Sequence, residues 1–157
     1  MAGTLDIYLS DHFAGATGGV ALARRIARSH DDAAAAELRR LADEIDDDRT
    51  ALRNIMRRVD SRPRRYKAVA GWVAEKFGRL KLNGRLFRRS PLSPMLELEA
   101  MLLGVEGKAA LWRALSEIAT VDGRLAEGEL DELALRARRQ IEVLDRLRCD
   151  EARRQLG

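Results

Sequence analysis

Apolar residues recur every three or four positions along most of the chain, which is the spacing of helices that bury one face. The most regular run alternates steps of three and four residues and is interrupted once, by Asp48. No segment alternates with the period of two that is typical of a strand. The pattern therefore predicts an all-α protein with helices at about 4–29, 33–60, 64–82, 92–120 and 127–155.

Local signals divide these helices into two hairpins and a connecting segment. The turns at 29–32 and 121–126 are short, so the helices on either side of each turn should be antiparallel neighbours. Residues 61–91 form a long crossover that contains the extra short helix at 64–82. We expect one domain, 1–157, built as an antiparallel four-helix bundle with a ferritin-like layout. An irregular five-helix domain is the alternative.

The amino-acid composition limits the classes of protein to which this chain can belong. The chain is 46% hydrophobic and 34% charged, which is typical of a globular protein. Only 4% of residues are aromatic, which disfavours a nucleic-acid partner recognised by base stacking. The first residues lack a basic segment followed by an apolar run, and the most apolar stretch, 95–115, contains five charged residues. We therefore expect a cytoplasmic protein.

Two polar residues fall within apolar stripes at matching heights. His12 interrupts the stripe of the first helix, and Asp48 interrupts that of the second. Folding this hairpin near residues 30–31 places the imidazole opposite the carboxylate. Because burying either group alone would be unfavourable, the two side chains could pair in the core or form part of a site.

The same region offers a candidate metal site. His12, Glu44, Asp48 and Glu99 form a predicted polar seam that could hold a single divalent cation. The Glu-x-x-His pairs of di-iron bundles are absent. Three residues after Glu44 the chain has Asp47 instead of histidine, and the chain has only two histidines. The alternative, which we favour, is a polar network without a cofactor that fixes the register of the helices.

The third long helix carries further charges. Folding the second hairpin near residue 122 brings Glu106 opposite Arg138, which predicts a structural ion pair. Glu99 acquires no obvious partner in this arrangement. Glu97 and Lys108 fall on a neighbouring stripe and are expected to reach the edge of the bundle.

Positive charge is concentrated in the crossover. Residues 57–89 contain twelve Arg and Lys and two acidic residues, whereas both flanking regions are acidic. These cations could contact the acidic helices, an anionic membrane surface or nucleic acid, and the first interpretation is favoured. The candidate basic surface consists of Arg79, Lys81, Arg85, Arg88 and Arg89.

Three segments are spread over most of the chain: DHFAGATGGVALARR (11–25), WVAEKFGRLKLNGRLFRRSPL (72–92) and LELEAMLLGVEGKAALWRAL (96–115). They resemble a family of short uncharacterised actinobacterial proteins. The resemblance implies no established activity. The layout is similar to ferritin-like bundles in topology only, and fold analogy does not carry function.

No recognised catalytic motif occurs, which favours a non-enzymatic protein. The leading hypothesis is a helical bundle that acts by binding or assembly, with itself or with another protein as partner. One alternative is a degenerate ferritin-like binder of a metal or small ligand at the polar seam. Another is a protein that binds an anionic membrane surface through residues 57–89.

Overall fold

The computed structural model describes residues 3–62 and 92–157, and every regular element within these ranges is an α-helix. The helices are α1 (Thr4–Arg28), α2 (Ala35–Arg58), α3 (Ser93–Ala119) and α4 (Glu127–Leu156). Each begins and ends within two residues of its predicted bounds, so the all-α class is confirmed. The helix predicted at 64–82 lies outside the described residues.

Two aspartates and a proline stabilise the turns that precede α2, α3 and α4. Before α2, the Asp32 carboxylate accepts the backbone N–H of Ala34 at 3.0 Å. Between α3 and α4, Asp122 Oδ1 accepts the backbone N–H of Arg124 at 3.1 Å. Pro94 stands in the first turn of α3, where the N–H that proline lacks would have no partner within the helix. These residues account for the positions of the turns.

Apolar faces hold the helices together around one continuous core. α1 packs on α2, α3 packs on α4, and α1 also packs on α3. Burying a large apolar side chain stabilises the fold by roughly 1.5–3 kcal/mol, so this core is the main source of stability. The most deeply buried apolar side chains are Leu9, Ile26, Leu52, Ile55, Met56, Leu98, Leu111, Trp112, Leu115, Leu130 and Leu144.

Ion pairs connect α2 with α4 along their length. Near the start of α2, Glu37 accepts Arg146 at 2.7 Å, and near its end Arg58 donates to Glu129. The beginning of one helix therefore faces the end of the other. Because these pairs are partly exposed, each contributes only about 0–1 kcal/mol, and their main effect is to set the alignment of the two helices.

Most of the basic stretch lies outside the described residues, including Arg79, Lys81, Arg85, Arg88 and Arg89. Its described part contributes Arg57 and Arg58 to the last turn of α2, where cations interact favourably with the helix dipole. Within residues 3–62 and 92–157, none of the helices contains an apolar stretch that could span a membrane.

A matched pair of substitutions on α4 tests the assignment of its buried face. Leu144 is fully buried and Leu135 is 51% exposed. Leu144→Ala should lower the free energy of unfolding by about 2–5 kcal/mol, because it leaves a cavity in the core. Leu135→Ala should change it by no more than about 0.5 kcal/mol. Urea denaturation measures both values, and equal losses would show that α4 packs by a different face.

Candidate functional site

Three of the helices each carry a polar residue at a central step of a mostly apolar stripe. In α2 that residue is Asp48, in α3 it is the largely buried Lys108, and in α4 it is Gln140, while Glu97 and Glu151 are further buried polar residues of α3 and α4. Each of the first three stands at a step of three or four residues between buried apolar neighbours. On α3 these neighbours are Leu98, Met101, Val105, Trp112, Leu115 and Ala119, and on α4 they are Leu130, Leu133, Ala137, Leu144 and Leu147.

The three polar residues meet, together with Arg136, and we call Asp48, Lys108, Arg136 and Gln140 the polar centre. Asp48 Oδ2 accepts hydrogen bonds from Lys108 Nζ and from Gln140 Nε2, the latter at 3.1 Å. Asp48 Oδ1 accepts Arg136 Nε at 2.7 Å and Nη2 at 2.5 Å. One buried carboxylate thus joins α2 to both α3 and α4.

Gln140 fixes the orientation of the other groups. Its Oε1 accepts Lys108 Nζ at 2.5 Å, and its Nε2 also donates to Glu44 Oε2 at 3.2 Å. Both ends of the amide are therefore used. Burial lowers the pKa of Lys108, while the charge and the hydrogen bond of Asp48 oppose that shift. The arrangement compensates a cation and an anion that would each be unfavourable if buried alone.

The predicted partner of Asp48, His12, has other neighbours. Its ring packs edge-on against Tyr8, with the ring centroids 4.6 Å apart, and no hydrogen bond joins it to Asp48 among the described residues. Burial lowers the pKa of His12, and the nearby Asp11 opposes the shift. His12 and Asp48 nevertheless line the same cavity.

The residues of the predicted polar seam are dispersed. Glu44 is exposed and bonds Gln140, whereas Glu99 is half-exposed and lies 3.8 Å from Arg148. Within residues 3–62 and 92–157, no group of three or more His, Cys, Asp or Glu side chains is arranged to hold a metal ion. The carboxylate at the centre of this region is instead surrounded by cationic and amide donors.

The other charged residues of α3 also differ in partner or in exposure from what the sequence predicts. Glu106 and Arg138 are both exposed, and the ion pairs of the described residues include none between them. Glu97, expected at the edge, is buried and has Arg25 of α1 as a partner at 2.9 Å. Lys108, also expected at the edge, is only 13% exposed and belongs to the polar centre.

A cavity of about 730 Å³ lies between α1, α2 and α3, beside the polar centre. Asp48 and Lys108 form part of its wall, and Trp112 and Arg49 lie there too. Most of the remaining wall is apolar. Its apolar residues include Ala16, Leu22, Ile45, Leu52, Leu96, Ala100, Met101, Leu103, Val105 and Leu111.

Glycines leave space in this wall. Gly15 on α1 and Gly107 on α3 both line the cavity, and a Cβ added at either would have no atom within 4 Å. At Gly19 and Gly104 the nearest atom would be the methyl group of Met101, at 3.6 and 3.7 Å. A side chain added at Gly15 or Gly107 would therefore extend into open space at the wall of the cavity.

The sequence contained a usable signal for two of the residues that were missed. Lys108 and Gln140 occupy the polar step of a heptad stripe, as Asp48 does, and could have been recognised in the same way. Arg136 carried no such signal, because it lies beside the stripe and reaches Asp48 with a long side chain.

Removing the central carboxylate should be strongly destabilising. Asp48→Ala leaves Lys108 without its buried counter-charge, and breaking such a pair costs about 3–5 kcal/mol. Asp47→Ala, an exposed aspartate at the next position, should change the free energy of unfolding by no more than about 0.5 kcal/mol. Urea denaturation compares the two variants. A loss below about 1 kcal/mol for Asp48→Ala would contradict the central role of this carboxylate.

His12 should make the protein sensitive to mild acid. Its pKa is lowered from 6.5, so the folded protein binds the proton more weakly than the unfolded chain. Its contribution to stability is complete above pH 6.5 and is lost as the pH falls through the lowered value. Between about pH 7.5 and 5, the wild type should lose more free energy of unfolding than His12→Gln. A His12 pKa above 6.5 by NMR titration would refute this.

Comparisons of the chain with protein-family models, with curated proteins and with solved structures find no match.

Proposed function

We propose that this protein is a non-enzymatic binding protein that takes a largely apolar small molecule into the cavity between α1, α2 and α3. The observation that carries this proposal is a space of about 730 Å³ with a mostly apolar wall that also includes the charged groups of Asp48 and Lys108. Small-molecule sites are concave, mostly apolar and typically 300–1,000 Å³ in volume, with a few fixed polar groups that orient the ligand.

The rigidity of the polar side supports binding. Asp48 is held by donors from α3 and α4, and Gln140 uses both ends of its amide. These bonds position Lys108 without any contribution from a ligand. A site that is already ordered loses less conformational entropy when it binds, so affinity does not require large rearrangement.

The same bonds argue against two other functions. Lys108 Nζ donates to Asp48 and Gln140, so its nitrogen is not free to act as a nucleophile while those bonds persist. The oxygens of Asp48 face Lys108 and Arg136, whose positive charges would oppose a divalent cation. A small-ligand site is therefore favoured over an enzyme and over a metal centre.

The fold that we propose around this cavity is an antiparallel four-helix bundle with a ferritin-like layout. Support comes from ion pairs that join the start of α2 to the end of α4, and from the packing of α1 on both α2 and α3. In such bundles, ligand sites are built from side chains on facing helices. The cavity of this protein likewise lies between helices, with its wall built from their side chains.

Binding of a neutral apolar fluorophore, N-phenyl-1-naphthylamine, tests the proposal. The wild type should bind it saturably and should unfold at a higher temperature in its presence. Gly15→Leu and Gly107→Leu should weaken binding at least tenfold, because the new side chains occupy the cavity. Gly128→Leu is the matched control, since Gly128 is an exposed helical glycine outside the cavity with no atom within 4 Å of an added Cβ.

Two results would overturn the proposal. One is the absence of saturable binding by the folded wild type. The other is equal affinity in the wild type and both filled variants. If binding is lost only as the protein concentration rises, sedimentation velocity should reveal a dimer, which would mean that a second copy of the chain covers the cavity.

A further inference from the structure

The imidazole of His12 is an accessible polar group on the cavity wall that lacks a hydrogen bond. Its ring contacts Tyr8, and neither ring nitrogen has a hydrogen-bond partner within the described residues. Buried polar atoms without a partner occur in Ser10, Arg49 and Trp112 of the described chain, and the nitrogens of His12 are not among them. Because His12 is half-buried, its nitrogens remain open to a ligand.

His12 offers an acceptor to a ligand that carries N–H groups. Burial lowers the pKa of its imidazole from 6.5, so the ring is neutral at pH 7. A neutral imidazole has one nitrogen that donates and one that accepts. The charge that acts on this ring is that of Asp11, the preceding residue of α1, which also lines the cavity. A ligand N–H group that reaches His12 therefore comes close to a carboxylate as well.

The cations of the wall are already paired, whereas the Asp11 carboxylate is not. Lys108 forms an ion pair with the buried Asp48, and Arg49 forms one with Asp46 at 2.7 Å. Within residues 3–62 and 92–157, no cation forms an ion pair with Asp11. Asp11 therefore contributes a negative charge to the wall that is not compensated by a neighbouring side chain.

The polar centre does not supply the opposite charge. Lys108 and Arg136 bring two positive charges, and Asp48 and Glu44, whose carboxylates both act on Lys108, bring two negative ones. The group is therefore close to neutral as a whole.

A second carboxylate of the wall, Glu99, is weakly paired. Its cation, Arg148, lies 3.8 Å away and is closer to Asp145, at 2.7 Å. The uncompensated charge of the cavity wall is therefore negative, although the chain as a whole has a formal net charge of +4. Because nonspecific attraction to the whole protein would favour an anion, a preference for a cation has to come from the site itself.

A mostly small and apolar surface continues along α1 from His12. Gly15, Ala16 and Gly19 follow it at steps that keep them on one face of the helix, and the wall ends at Leu22. From His12 to Leu22 this face is about 15 Å long. An apolar body that lies along it can leave its polar end beside His12.

Resting on the proposed function, we infer that the ligand is an amphipathic amine, with an apolar body and one protonated primary or secondary amino group. Its N–H group donates to His12, its charge faces Asp11, and its body lies along the apolar wall between α1 and α3. Hydrogen bonds that involve a charged group are about twice as strong as neutral ones, which favours an ammonium head over a neutral one. Since Asp11 is exposed, the head also keeps part of its hydration. A carboxylate head fits worst, because Asp11 repels it.

A series of ligands with the same chain and different heads tests the inference. Dodecylammonium, 2-dodecanone and dodecanoate, each below its micelle-forming concentration, compete with N-phenyl-1-naphthylamine for the wild-type protein at pH 7.5. Dodecylammonium should bind about threefold more tightly than the ketone and about tenfold more tightly than dodecanoate. Dodecanoate or the ketone binding as tightly as dodecylammonium, while the fluorophore still binds, would overturn the inference and leave the proposed function standing. Absence of fluorophore binding would overturn both.

Asp11→Asn removes the charge and keeps the size of the side chain. Affinity for dodecylammonium should fall about threefold, and affinity for 2-dodecanone should change less than about twofold. Asp47→Asn is the matched control, because Asp47 is an exposed aspartate of α2 outside the cavity, and it should leave both affinities unchanged. An equal effect of the two variants on dodecylammonium would overturn the role of Asp11.

Two substitutions of His12 separate hydrogen bonding from packing. His12→Leu removes the acceptor and should lower the affinity for dodecylammonium about fivefold, with little effect on the ketone. His12→Gln retains an oxygen that accepts a hydrogen bond and should keep most of the affinity. The same loss of dodecylammonium binding in both variants would show that His12 does not act as an acceptor, which would overturn its part in the inference.

Discussion

The rest of the structure depends on the ion pairs and hydrogen bonds that the Asp48 carboxylate makes. It is fully buried on α2, and its partners Lys108 and Arg136 come from the other hairpin, on α3 and α4. Apolar contacts supply most of the stability, but they are tolerant of small shifts between helices. A buried charge is not tolerant, because sliding one helix by a single turn would leave Asp48 or Lys108 without its partner. The polar centre therefore selects one alignment of the two hairpins.

The cavity follows from this alignment and from the small residues of α1 and α3. Lys108 is drawn toward Asp48 and Gln140, so it does not extend across the space in front of it. Gly15 and Gly107 contribute no side chain to fill that space. The outcome is a largely apolar wall next to a hydrogen-bonded polar centre. The group that aligns the helices thus also shapes the site.

Much of the fold could be predicted from periodicity and from residues at helix ends. Four helices begin and end close to their predicted bounds, because Asp32, Pro94 and Asp122 act locally and the apolar stripes repeat regularly. The candidate site was predicted only in part. Asp48 was recognised as an exception in its stripe, but it was paired with His12, the polar residue at the same height in the same hairpin. The same logic missed Lys108 and Gln140, which belong to the other hairpin.

The difference arises because helix and turn positions depend on residues close together in the sequence, whereas contacts between the hairpins depend on residues far apart. Helix positions, turn positions and the presence of a polar residue in each stripe depend on neighbours within a few residues, so the order of amino acids is enough to define them. Which polar residues meet depends on the rotation and offset of one hairpin against the other. Those quantities arise from packing across the whole core, and no spacing along the chain encodes them. The sequence therefore indicates that Asp48 has a buried partner. Which residue that partner is, and the cavity beside it, are decided only by the packing of the helices against one another.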